Sequence, residues 1–98
     1  MTTILDKKSE RLAIKPPGQF NVVLHNDDFT SMDFVIALLV QIFKKSTDEA
    51  MAITEHVHNN GKGIAGQYTR EIAETRKTQA VQAARHHEYP LNITVEAA

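Results

Sequence analysis

The stretch Leu24-His25-Asn26-Asp27-Asp28-Phe29-Thr30-Ser31-Met32-Asp33 gathers acceptor side chains between two apolar patterns. Asn26 and Asp27 direct oxygens at one small volume, and carboxylates in the helical turn that follows make the local field negative. Such a volume suits a cation. The plainer alternative is an Asx-turn at Asn26-Asp27-Asp28 that ends a strand. Five histidines, His25, His56, His58, His86 and His87, raise the question of a metal. Only His86 and His87 are adjacent and no carboxylate or thiolate cluster accompanies them, so neither a metal site nor another cofactor is expected. Asp27 and His58 could form an acid–base pair, but no serine, cysteine or second base joins them in a convincing arrangement. The expectation is a protein that is not an enzyme.

The elements around this loop follow from the apolar periodicity. Phe20, Val22 and Leu24 alternate with Asn21, Val23 and His25, the pattern of a strand with one buried face. Thr30 and Asp33 have the spacing of a capping box, and Phe34, Val35, Leu38, Leu39, Ile42 and Phe43 form the stripe of a first helix ending near Lys44-Lys45. Ser46 and Glu49 form a second box, opening a helix that carries Ala50, Ile53 and Val57 to a left-handed stop at Asn59-Asn60-Gly61. Lys62 to Tyr68 reads as a short strand with a bulge or close backbone approach, with Ile64 and Tyr68 on one side. Thr69 caps a third helix reaching about His87, with a small face of Ala73, Ala80, Ala83 and Ala84 to lie close on a sheet. Glu88-Tyr89-Pro90 breaks it, and Leu91, Ile93 and Val95 alternate in a last strand. The order β-α-α-β-α-β packs most simply as an α+β domain, a three-stranded antiparallel sheet with three helices packed on one face.

At 98 residues the chain suits one domain with a small core. Residues 1–18 hold no sustained period and include Pro16-Pro17, so they are expected to be a flexible N-terminal extension, with residues 19–98 as the core domain. A net charge of −1 argues against nucleic acid as a bulk partner. No apolar run approaches the roughly 20 residues of a spanning helix, and no signal-peptide pattern opens the chain. No membrane partner is expected, and the cytoplasm is the default location.

Asn26-Asp27-Asp28-Phe29-Thr30-Ser31-Met32-Asp33-Phe34-Val35 resembles the N-D-D-[YF]-T-x-M-[ED]-[FY]-V signature of the ClpS family. These are bacterial adaptors that deliver N-degron substrates to the Clp AAA+ protease. His58-Asn59-Asn60-Gly61-Lys62 is similar to the family's H-x-x-G motif, and Tyr68-Thr69-Arg70-Glu71-Ile72-Ala73-Glu74-Thr75 to its third motif. The similarity runs from about Lys15 to the C-terminus and implies the same fold.

By that resemblance, Asn26, Asp27 and His58 receive the free α-amino group of a substrate, an ammonium with three donors and no acceptor. Met32, Val35, Val57 and Leu91, ordinary core residues by pattern alone, match positions that line a pocket for the first side chain: Leu, Phe, Tyr or Trp. Thr54 stands where relatives usually carry a methionine thought to close the pocket mouth against β-branched side chains. Glu71, Glu74 and Arg76, otherwise a solvated helix face, match the surface that docks on the N-terminal domain of a ClpA-like Clp AAA+ unfoldase. The resemblance therefore implies a monomeric adaptor whose partners are that unfoldase and N-degron proteins or peptides. A small non-catalytic interaction or ribosome-associated module is the alternative, since compact domains of this order support either.

Overall fold

The computed structural model describes residues 18–98, so the expected extension of residues 1–18 lies outside it except for Gly18. The elements are β1 (Gln19–His25), α1 (Met32–Gln41), α2 (Thr47–Asn60), β2 (Lys62–Thr69), α3 (Arg70–His86) and β3 (Asn92–Ala97). The strands form one sheet in the order β2-β1-β3 with both pairs antiparallel. This is the α+β domain expected from the sequence. The period-two pattern of β1 places Val22 and Leu24 on the helix-covered face, both fully buried, with Phe20 packed beside them. Ile93 joins them from β3, and α3 lies on the sheet through the fully buried Ala73, Ala80 and Ala84. Methyl side chains let that helix approach closely, as the small face suggested; Ala83 is only half-buried at its edge.

Four local expectations need correction. The cap of α1 is Ser31, not Thr30: the Ser31 side chain accepts from the Phe34 N–H at 3.1 Å. Thr30 is drawn away because its hydroxyl donates to Asp27 Oδ2 at 2.8 Å. Helix α1 also stops at Gln41, before Lys44-Lys45, because Lys44 takes a left-handed backbone (φ 57°) and the Lys45 N–H turns back to the Leu39 carbonyl. Phe43 is nonetheless buried beyond the helix end.

In β2 the bulge is present, with Val22 opposite Gly66 and Val23 opposite Ile64, so that Ala65 is the extra residue. One extra residue inverts the side-chain alternation. Ile64 therefore faces out, half exposed, while Tyr68 packs on the core, and the two do not share a side. Thr69 occupies the N-cap position of α3 but its side chain makes no capping bond. By contrast α2 carries both halves of the Ser46–Glu49 box and ends at Gly61 with φ 92°, as its sequence indicated.

Candidate functional site

The end of β1 and the end of α2 meet at the candidate site. The Asn26 N–H donates to the Gly61 carbonyl at 2.8 Å, so the left-handed cap of α2 holds the first residue of the loop. His58 lies in the last turn of α2, three residues before that cap, and is exposed. Asp27 closes the loop on itself. Its Oδ1 accepts from the N–H groups of Phe29 and Thr30 at 2.8 and 2.7 Å, and its Oδ2 accepts from the Thr30 hydroxyl.

Partial burial pushes the Asp27 carboxyl up, but the hydrogen bonds from Thr30 and Phe29 together outweigh it and hold the group below the ordinary carboxylate range. Asp27 thus forms the Asx-type turn that was the plainer reading of this stretch. That turn does not exhaust it. An ionised carboxylate offers about four acceptor positions, and three are occupied.

Behind the loop lies a small cavity that opens to solvent on one side. Asn26, Asp27, His58, Met32, Val35, Thr54, Val57 and Leu91 all line it. Val35, Val57 and Leu91 are buried and contribute an apolar interior. Met32 is 45% exposed and so stands with His58 at the open side. Thr54 is 3% exposed, which puts it in the closed wall and not at the mouth. Its hydroxyl donates to the Ala50 carbonyl at 2.8 Å, so its single O–H donor is used inside α2.

The cavity also has linings that the sequence reasoning did not single out: Leu24, His25 and Thr30. Thr30 had a detectable signal, a hydroxyl three residues after an aspartate that can close a turn. His25 had none, since its ring nitrogen Nε2 pairs with Thr94 Oγ1 at 2.8 Å across the sheet, 69 residues away.

Glu71, Glu74 and Arg76 sit apart from the cavity on α3, the two glutamates exposed and the arginine half-buried. The Arg76 guanidinium lies 6.0 Å from the Tyr68 ring centroid. Burial pushes the Tyr68 hydroxyl up from its ordinary range, and Arg76 partly offsets this. Ile72, 45% exposed, adds an apolar residue to the same region. Among the described residues no group of three or more His, Cys, Asp or Glu side chains could hold a metal ion, and no helix is long and apolar enough to cross a membrane.

A polar rim over an apolar interior, carried by a three-stranded sheet and three helices, defines a small binding domain. The sequence model of the ClpS family, ATP-dependent Clp protease adaptor proteins, matches residues 15–94. The ClpS adapter protein of Oleidesulfovibrio alaskensis is 48% identical over 83 residues, covering 85% of this chain and 80% of the relative. That of Burkholderia thailandensis is 43% identical over 97 residues, covering 99% and 91%. A solved structure of Agrobacterium tumefaciens ClpS2 bound to L-phenylalaninamide superposes with a TM-score of 0.81 at 30% identity, covering 85% of this chain and all of that one. The chain belongs to the ClpS family, and it is an adaptor of the Clp protease, not an enzyme.

Proposed function

We propose that this adaptor captures proteins by a free N-terminal α-amino group together with a bulky hydrophobic first side chain, Leu, Phe, Tyr or Trp. Asn26, Asp27 and His58 receive the ammonium, and Met32, Val35, Thr54, Val57 and Leu91 surround the side chain. The observation that carries this reading is that one cavity has acceptors on its rim and aliphatic groups inside it. An ammonium needs three acceptors and a negative charge; the rim offers an amide, an imidazole and a carboxylate held ionised by its turn. The side chain adjoining that amine then enters the apolar interior. The similarity to a ClpS2 seen with L-phenylalaninamide supports a ligand of this chemistry, since that molecule pairs an amine with an aromatic side chain.

The bound protein is then delivered, in the cytoplasm and by a monomeric adaptor, to the N-terminal domain of a ClpA-like Clp AAA+ unfoldase. The docking face is the exposed part of α3 with Glu71, Glu74 and Arg76, on a different element from the cavity. Titration with a Leu-first peptide tests the capture step. Binding is expected with a free amino group and is expected to disappear on N-acetylation, which removes the charge and two donors. Equal binding of both forms would refute the proposal.

A further inference from the structure

Tyr89 lies in the short link between α3 and β3, and its side chain reaches the start of α1. Its hydroxyl donates to Ser31 Oγ at 3.3 Å, joining residues 58 apart in sequence. Ser31 Oγ also accepts from the Phe34 N–H, so both of its acceptor positions are filled by groups that fix the first turn of α1. The Tyr89 ring packs on Phe34 with centroids 4.9 Å apart and planes at 48°.

Tyr89 is itself held from behind. Its N–H donates to the Ala84 carbonyl at 2.8 Å, and Arg85 Nη1 donates to the carbonyls of Tyr89 at 2.9 Å and Leu91 at 3.0 Å. The Tyr89 hydroxyl therefore spans from a fixed turn to the N-terminus of α1. At one end of this span is Leu91, a buried wall of the cavity. At the other, Ser31 sits between Thr30, which bonds Asp27, and Met32, which stands at the mouth.

We propose that Tyr89 is a positioning residue for the cavity: its hydroxyl fastens the Ser31 end of α1 to the Leu91 wall and so sets the spacing between Leu91 and the Asp27–Met32 side. This role rests on the proposed capture of an N-terminal residue in that cavity. It needs no contact between Tyr89 and the ligand. The loop from Asn26 to Ser31 is short and none of its residues is buried; outside its own bonds to Asp27 it is held at Asn26 by Gly61 and at Ser31 by the first turn of α1, and Tyr89 ties that second anchor to the α3–β3 link.

The test is Tyr89→Phe, which keeps the ring on Phe34 and removes only the donor. Affinity for a Leu-first peptide with a free amino group is measured at a temperature where wild type and variant are both fully folded by circular dichroism. Global stability then does not enter the affinity. A weakening of about two- to tenfold is expected, the effect of one neutral hydrogen bond. In a Ser31→Ala background, Tyr89→Phe should cause no further loss, because the acceptor is already gone.

Wild-type affinity in Tyr89→Phe would overturn the role, and so would an equal further loss in the Ser31→Ala background. If the wild type itself fails to bind, the capture reading falls and this role falls with it. Normal wild-type binding with an unaffected Tyr89→Phe overturns the positioning role alone.

Discussion

Replacing Asp27 separates its role in the turn from the role proposed for it in capture. Asp27→Ala removes three hydrogen bonds at once, from the Phe29 and Thr30 N–H groups and the Thr30 hydroxyl. A hydrogen bond to a charged group is worth about 1.5–3 kcal/mol net, less where water can replace it. The alanine variant should therefore lose about 2–4 kcal/mol of local stability as well as binding. Asp27→Asn is the cleaner perturbation. The amide oxygen can take the place of Oδ1 and keep both N–H bonds, while the amide nitrogen can donate to the Thr30 hydroxyl, which then turns to accept. The turn survives and the charge does not.

On the capture reading, an ammonium loses its only full negative charge on the rim. Removing one partner of a close, partly desolvated charge pair costs about 2–5 kcal/mol. Asp27→Asn should thus weaken a Leu-first peptide by at least about 30-fold, measured by calorimetric titration, while keeping the wild-type circular dichroism spectrum. Acid stability supplies an internal check. Asp27 is held below the ordinary carboxylate range, so its contribution is fully present above the unfolded value of about 4 and is lost as pH falls through the lower folded value. Asp27→Asn should remove that part of the acid dependence. A variant that binds within threefold of wild type would refute the assignment of the charge, whatever its stability.

Three further expectations concern other parts of the molecule. His58→Ala should bind a Leu-first peptide more weakly in calorimetric titration, because it removes one of the three acceptors proposed for the ammonium; wild-type affinity in that variant excludes the ring as a ligand. Thr54→Met would extend a long side chain from the closed wall into the cavity, so the Leu-first to Ile-first affinity ratio should rise by part of the roughly 1–3 kcal/mol that one misplaced methylene is worth; an unchanged ratio would assign the size limit to another wall, Met32 first. Glu71→Lys and Arg76→Glu should leave peptide titration at wild-type strength while weakening a pull-down with the isolated N-terminal domain of the unfoldase, and parallel loss of both would indicate damaged folding instead.

What the sequence made legible was chiefly what is decided within one helical turn. The Ser46–Glu49 box and the Gly61 stop are each complete within four residues, and both formed as expected. The cap of α1 was ambiguous because two hydroxyls, Thr30 and Ser31, stand side by side; Asp27 decides between them by taking Thr30. The early end of α1 depends on Lys44 accepting a left-handed backbone, which a non-glycine residue does not announce. Two glycines announced a bulge in β2, yet its placement one residue along sets whether Ile64 faces the core or the solvent. The Tyr89 to Ser31 tie joins two loops 58 residues apart and follows no spacing rule at all.

The candidate site shows why its structural and chemical readings were hard to separate from sequence. An aspartate that closes a turn and an aspartate that faces a ligand look alike in a run such as Asn26-Asp27-Asp28, and here one residue has the geometry for both. The two roles reinforce each other. The N–H groups of Phe29 and Thr30 that build the turn also stabilise the ionised carboxylate against the burial that would otherwise neutralise it. The same bonds fix the side chain's direction before any ligand arrives, so less ordering is left for the binding step. A carboxylate made rigid and charged by its own turn, one strand's end from an apolar cavity, presents a negative charge at a fixed distance from aliphatic walls. On the capture proposal, that combination would discriminate an N-terminal residue from an internal one, since only the former sets a positive charge directly beside a free side chain.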